Sequence, residues 1–199
     1  MTLYNNKYRI ESARLVGYDY GSNGAYHITI CTKNRLHHFG TIVETDYNPS
    51  SKQNVSFPDK SVSPLAGVPP KTDYNPSLQP TQIGIVAREN WLNIPNHFNF
   101  IALDSFIIMP NHIHGILFIN KQEEEDLSNG KFVSQSRNIP SVIRAFKGAV
   151  KRYANANNIA FEWQERYHDR IIRDSKELDN TRLYIHNNPT NWINDEYKD

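Results

Sequence analysis

Cysteine is almost absent from this 199-residue chain, which has only Cys31. One thiol cannot form an internal disulfide, so the fold must be held by packing, and the composition suits a reducing compartment. Long apolar runs are also missing. None approaches the roughly 18 residues that cross a bilayer, and the first residues, Met-Thr-Leu-Tyr-Asn-Asn-Lys-Tyr-Arg, lack the apolar centre of a signal peptide. The expectation is a cytoplasmic protein without a membrane partner. Charge of one sign is lacking too. The formal net charge is +1, so a surface for an anionic partner must be local rather than global. Hydrophobic residues make up 38% and the mean hydropathy is −0.65, so part of the chain is expected to be polar and irregular. What is plentiful is aromatic: 11 tyrosines, 9 phenylalanines and 3 tryptophans. They serve a core or a nucleic-acid surface equally well.

The length suits one domain across 1–199. Residues 24–32, Gly-Ala-Tyr-His-Ile-Thr-Ile-Cys-Thr, are β-branched and aromatic and follow a Gly-Ser-Asn-Gly turn, which predicts a strand. Residues 41–80 read as a flexible Ser/Pro-rich insert. In it Thr45-Asp-Tyr-Asn-Pro-Ser50 recurs as Thr72-Asp-Tyr-Asn-Pro-Ser77, too short and too few copies for a solenoid. A helix is predicted over 81–95, capped by Thr81, with Ile85, Val86, Trp91 and Leu92 on one stripe and Pro95 as its stop. Residues 99–108 and 112–119 read as a strand pair turning at Pro110. Residues 139–157 give the clearest helix, with Ile139, Val142, Ile143, Phe146, Val150 and Tyr153 on one face. A short strand over 168–173 and a last helix from Ser175 toward Asn188 complete the series. Ser175 is the expected cap and Pro189 the stop. The order predicts an α+β fold: a ferredoxin-like βαββαβ core with an antiparallel sheet and one appended C-terminal helix.

Two histidines stand out. His112 and His114 flank Ile113 in the run Met-Pro-Asn-His-Ile-His-Gly-Ile. On a strand, side chains alternate faces, so both imidazoles leave one face and Ile113 the other. The pair is either half of a metal site or two satisfied histidines of a sheet. On the last helix Tyr184 and Asn188, four residues apart, share a face. A tyrosine beside a metal-ligating amide suits attack on a phosphodiester, but a half-buried aromatic and an ordinary Asn-Pro helix stop explain the two residues as well.

The ordered series is more specific than any of its parts. His112-Ile-His114 is followed by Phe146-Lys147, Trp163-Gln164, Asp169-Arg170-Ile171-Ile172-Arg173 and Tyr184-Ile185-His186-Asn187-Asn188-Pro189. This resembles the REP-associated tyrosine transposases, single-tyrosine members of the HUH endonucleases and relatives of insertion-sequence transposases. The resemblance covers about 24–40 and 81–192, and the 41–80 insert has no counterpart in it. It implies a ferredoxin-like core whose appended helix carries the catalytic tyrosine. It also implies metal-dependent cutting and rejoining of single-stranded DNA at hairpin-forming repeats. By position, His112, His114 and Asn188 would be ligands of Mg²⁺ or Mn²⁺. Tyr184 would form a 5′-phosphotyrosine link and free a 3′-OH. Such a protein would work in the cytoplasm at the nucleoid, as monomer or homodimer.

DNA contact would come from cations. Between 137 and 173 there are eight basic residues against three acidic ones. Arg144, Lys147 and Lys151 form a helical stripe, and Arg170 and Arg173 flank the Ile-Ile segment; these five are the candidate phosphate contacts. Trp163 and Tyr167 can stack on unpaired bases or pack in the core. Two other functions stay open: a non-cutting module that binds hairpin DNA or RNA, and a hydrolase in which His-x-His activates water.

Overall fold

The computed structural model describes residues 3–4, 7–8, 17–43, 78–121 and 137–198. The duplicated hexapeptide and the acidic run at 122–126 lie outside them. Strands β1 (Leu3–Tyr4) and β2 (Lys7–Tyr8) pair with each other. The remaining strands are β3 (Gly24–Cys31), β4 (Gly40–Ile42), β5 (Leu78–Pro80), β6 (Ile101–Ile108), β7 (His112–Ile119) and β8 (His168–Ile172). The helices are α1 (Gln82–Leu92), α2 (Ile94–His97), α3 (Ile139–Ala156) and α4 (Ser175–Asn187).

Four strands form the main sheet in the order β6-β7-β3-β8, with every neighbour antiparallel. Without the small pairs and α2, the chain runs β3-α1-β6-β7-α3-β8, the six-element order expected from the sequence, and α4 follows. β7 sits inside the sheet. Its odd-numbered residues Ile113, Leu117 and Ile119 face a core that holds Ile28 and Ile30 of β3, Trp91 of α1, and Val142, Ile143, Phe146 and Val150 of α3. Its even-numbered Ile116 faces a smaller cluster with Ile107, Ile172, Ile185 of α4 and Trp192. Helices α1 and α3 therefore cover one face and α4 the other, and the period of two sends His112 and His114 toward α4.

Gly115 is required by close approach. A Cβ there would lie 2.2 Å from the Trp91 ring, which is fully buried and packs edge-on against Phe146. The hairpin between β6 and β7 closes at Pro110, with Met109 N–H donating to the His112 carbonyl at 2.8 Å.

Several local expectations shift. The insert is not irregular from its first residue: its two ends, β4 and β5, form a short antiparallel ladder. The two ends of that stretch are thus held side by side. Pro95 does not end the helical region, because it sits at the start of α2, where its missing N–H is not needed. Ile85 is exposed, and Ile83 and Ala87 take the inner stripe with Val86 and Trp91. On α3, Ala154 rather than Tyr153 completes the buried stripe. Asp174, not Ser175, caps α4, accepting from Glu177 N–H at 2.7 Å. Among the described residues no helix is long and apolar enough to cross a membrane.

Gly115→Ala should lower unfolding stability by about 2–3 kcal/mol through overpacking against Trp91. Urea denaturation checks this. Combining it with Trp91→Phe should cost clearly less than the two single changes added together; additive costs would show that the ring is not what excludes the methyl group.

Candidate metal centre and tyrosine cleft

His112 and His114 are buried to 0% and 1% exposure, and their rings lie 4.7 Å apart. Each is oriented from behind. Asn111, fully buried in the β6–β7 turn, donates its amide hydrogens to the carbonyl oxygens of Arg35, Tyr197 and Lys198. Its own oxygen therefore faces His112 Nδ1, 2.8 Å away. That oxygen can only accept, so Nδ1 carries the proton and Nε2 of His112 holds a lone pair. Among the described residues Nε2 has no hydrogen-bond partner, although it is buried.

His114 pairs through Nδ1 with Thr29 Oγ1 at 2.9 Å and through Nε2 with the Tyr184 hydroxyl at 3.2 Å. Thr29 stands directly across the ladder from His114, as the β3–β7 register dictates. A phenol is a stronger acid than an alcohol. We therefore assign the phenol as donor to Nε2 and Nδ1–H as donor to Thr29.

Tyr184 reaches His114 because α4 crosses the sheet at one angle. Its apolar packing is limited to buried Ile185 and partly buried Leu178. A two-pronged ion pair adds direction. Arg182 Nε donates to Asp104 Oδ1 at 2.9 Å and its NH2 group to Asp104 Oδ2 at 2.7 Å. Burial raises the Asp104 carboxyl pKa, but the Arg182 hydrogen bonds outweigh it and hold the group below its ordinary value. Asp104 sits in the bulge of β6 between Leu103 and Phe106. The bulge thus aims the carboxylate at the tyrosine helix.

Asn188 follows α4 and is also buried. Its Nδ2 donates to Asp195 Oδ2 at 2.9 Å, which fixes the amide orientation because a carboxylate only accepts. Its Oδ1 is buried and, among the described residues, without a hydrogen-bond partner. After Pro189 the chain turns through the short 3₁₀ segment Trp192–Asn194 and returns to the sheet. Trp192 anchors that return in the α4-side cluster. One ligand atom from each of His112, His114 and Asp195 then lies within 4.8 Å of the others, a group able to hold a metal ion. Asp195 is absent from the sequence reading. The one hint in the chain is the apolar Trp192 within a polar tail, which signals that the tail folds back.

The site keeps its imidazoles neutral. Burial pushes His112 down to about 3, with Arg35 adding to the effect and the Asn188 side chain opposing it. Burial, together with the neighbouring His112 and His27, holds His114 well below its usual range. His27, which faces Arg170 across the β3–β8 ladder, is lowered to about 4 by burial and by that arginine. Neutral imidazoles are the metal-binding form. Tyr184 moves the other way: burial, then the charges of Asp195 and Glu196, push its hydroxyl up to about 12, so it is a phenol at neutral pH.

A cleft of about 690 Å³ opens beside Tyr184, lined among others by His27, His114, Arg170, Arg173, Lys176 and Tyr197. Arg170 and Arg173 are thus brought to the tyrosine. Arg170 also pairs with Glu177 at 2.7 Å. The α3 stripe is not brought there, because α3 packs on the opposite face of the sheet. Lys147 donates to the Gln164 and Glu165 carbonyls and Lys151 to that of Phe161, which ties the 161–165 segment to α3, while Arg144 is exposed. Trp163 packs against Phe39, Phe146 and Phe161 and donates to the Lys147 carbonyl. Tyr167 is likewise packed against the α1–α3 core.

In the metal-free protein the unfolded chain protonates these histidines near pH 6.5, whereas the folded site resists protonation. Stability should be complete above that pH and fall as pH drops toward 4, each ring costing about 1.4 kcal/mol per pH unit within its window. Urea denaturation across pH 4.5–7.5 measures the slope. His112→Gln should flatten it, and an unchanged slope would show that the ring takes up protons in the folded state.

No protein-family model matches the chain. Among solved structures, that of a REP-associated tyrosine transposase bound to a REP hairpin aligns with a TM-score of 0.48 and 18% identity, over 92% of this chain and 73% of that one. A Haemophilus influenzae protein named only as an uncharacterized protein is 32% identical over 194 residues, which span 93% of this chain and 91% of the relative. Identity of that degree over nearly the whole of both chains places the protein in one family with its Haemophilus influenzae relative.

Proposed function

We propose that the protein is a metal-dependent single-strand DNA nickase and strand transferase, a transposase of the HUH tyrosine type. One observation carries this reading: a cleft-facing tyrosine hydroxyl 3.2 Å from the second imidazole of a buried His-x-His pair. The motif series from His112 to Pro189 supports it from the sequence side. Arg170 and Arg173 at the mouth of the same cleft suit an anionic strand.

The residues fit a divalent cation. His112 Nε2 and Asn188 Oδ1 are both lone-pair atoms, both buried and, among the described residues, both without a donor. A buried acceptor left unsatisfied is costly, and a cation between such atoms removes the cost. His112 and His114 would hold Mg²⁺ or Mn²⁺, and Asn188 is the third position that the sequence resemblance gives. The ion would supply Lewis-acid polarisation of a non-bridging phosphate oxygen.

The protein's own groups do the rest. In the metal-free site the phenol of Tyr184 occupies the lone pair of His114 that a cation needs. With that lone pair engaged by a cation, the Tyr184 hydroxyl would be free to turn toward the cleft. There Tyr184 Oη attacks phosphorus and passes its proton to solvent, the bond from phosphorus to the 3′ oxygen breaks, and that oxygen takes a proton from solvent to leave as a 3′-OH. One phosphoester replaces another of similar energy, so the step reverses onto a second strand without a nucleotide cofactor. Hairpin-forming repeats are the proposed substrate, and Arg170 and Arg173 the proposed phosphate contacts. Arg144 would add a contact only for DNA that wraps to the far face; Lys147 and Lys151 would have to leave their carbonyl partners to do the same.

A second reading gains from Asp195, whose carboxylate gives the site the hard ligand that water-activating hydrolases use. The two part at Tyr184.

With Mn²⁺ and a labelled pool of hairpin-bearing single strands, a denaturing gel should show label at protein mass. The adduct should vanish with chelator and in Tyr184→Phe. Cleavage that persists in Tyr184→Phe without an adduct would assign the hydrolase instead. Because the phenol competes for His114, Tyr184→Phe should bind Mn²⁺ at least as tightly as the wild type by calorimetry; weaker binding would place the hydroxyl among the ligands.

Arg170→Gln and Arg173→Gln should each weaken single-strand binding about equally across sequences. Each should also reduce the slope of log affinity against log salt by about 0.7. An unchanged slope would remove that arginine from the DNA path.

A further inference from the structure

We infer that Asp195 is the third protein ligand of the metal and that Asn188 orients it, so that cation binding fastens the C-terminal segment across the histidine pair. This rests on the metal-dependent reading above and changes which residue completes the site.

The geometry favours the carboxylate in three ways. First, its oxygen belongs to the group of ligand atoms within 4.8 Å of one another that includes both histidines. Second, both of its oxygens are aimed. Oδ2 accepts from Asn188 Nδ2 at 2.9 Å and Oδ1 from the Tyr197 N–H at 2.7 Å, leaving lone pairs on each. A ligating carboxylate steered by a neighbouring amide is a common outer-shell arrangement. Third, charge decides between the two candidates. Two neutral imidazoles and a neutral amide bring no negative charge to a dication, whereas Asp195 brings one. A carboxylate also suits Mg²⁺ or Mn²⁺ better than a third neutral donor does.

The consequence lies in the segment that carries Asp195. Trp192 is buried below it, and Asn111 grips the carbonyls of Tyr197 and Lys198 beyond it. Arg35 donates to the Glu196 carbonyl and stands 5.7 Å from the Tyr197 ring. The Tyr197 ring lies 5.1 Å from His112 and 5.6 Å from His114, and it walls the tyrosine cleft. Asn111 therefore touches both parts of the device: its oxygen sets the tautomer of His112 and its amide hydrogens hold the tail. A ligand on the tail makes metal occupancy and tail closure one event, because each fixes the other.

The test uses the full chain and Co²⁺ as the probe. Wild type, Asp195→Asn, Asn188→Ala, Asp195→Cys and His114→Ala are titrated while visible absorption is followed, and hydrogen exchange of residues 195–198 is measured with and without Co²⁺. Asp195→Asn should weaken binding more than Asn188→Ala does, the latter staying within the roughly 10–100-fold of an outer-shell loss. The Asp195→Cys complex should gain a thiolate-to-cobalt charge-transfer band that the wild type lacks. Co²⁺ should slow exchange of 195–198 in the wild type and leave it unchanged in Asp195→Asn. The inference is overturned if Asp195→Asn binds within about twofold of wild type and Asp195→Cys shows no new band. It is equally overturned if Asn188→Ala is the variant that loses the metal. Failure of the wild type itself to bind Co²⁺ would instead remove the metal from the proposed function and the ligand assignment with it.

Discussion

The alternation of side chains along β7 governs the rest of the molecule. Ile113, Gly115 and Leu117 must point to the face where Trp91 and α3 lie, and Gly115 leaves the indole only enough room to close over the strand. Once that face is buried, a slip of one residue is prohibited, because it would send imidazoles into the core and isoleucines to the site. The same register sets Thr29 against His114 and Cys31 against His112. Core packing on one side of the sheet thus fixes the geometry of the polar cluster on the other.

On that second face the structure holds buried polar groups whose hydrogen bonds are only partly made. Asn111 satisfies one nitrogen of His112, and the other is left with an unshared lone pair beside the unsatisfied oxygen of Asn188. Burial keeps the rings neutral and the Tyr184 hydroxyl protonated. Such a site is poor at holding protons and well arranged to hold a cation.

Helix α4 stands apart from the other long helices. α3 is held by a full apolar stripe, whereas α4 buries one hydrophobic residue and relies on the Arg182–Asp104 pair. A hydrogen-bonded ion pair fixes direction more sharply than apolar contact does. It therefore suits an element that must present one hydroxyl at one place.

Much of this was legible in the chain. The apolar periods gave β3, β6, β7 and α3 within a residue or two, and the βαββαβ order followed from them. The shared face of His112 and His114 needed only the period of two. Tyr184 beside them was legible through the motif series rather than through any local pattern. Local rules failed where competing partners stand close in sequence: Asp174 beside Ser175 for the α4 cap, Ala154 beside Tyr153 for the α3 stripe. They failed more fully for groups whose partners are distant. The lysines of α3 look free in sequence, and only the fold lays the 161–165 carbonyls beside Lys147 and Lys151. Asp195 lies in an unremarkable polar tail and reaches His112 and His114 across some 80 residues of chain. By itself the sequence determined which residues alternate, which cap and which must be buried, because those are properties of neighbouring residues. Which charges meet, and which carboxylate lies beside the histidine pair, was decided by tertiary structure alone, because electrostatic interactions depend on distance in space and not on separation along the chain.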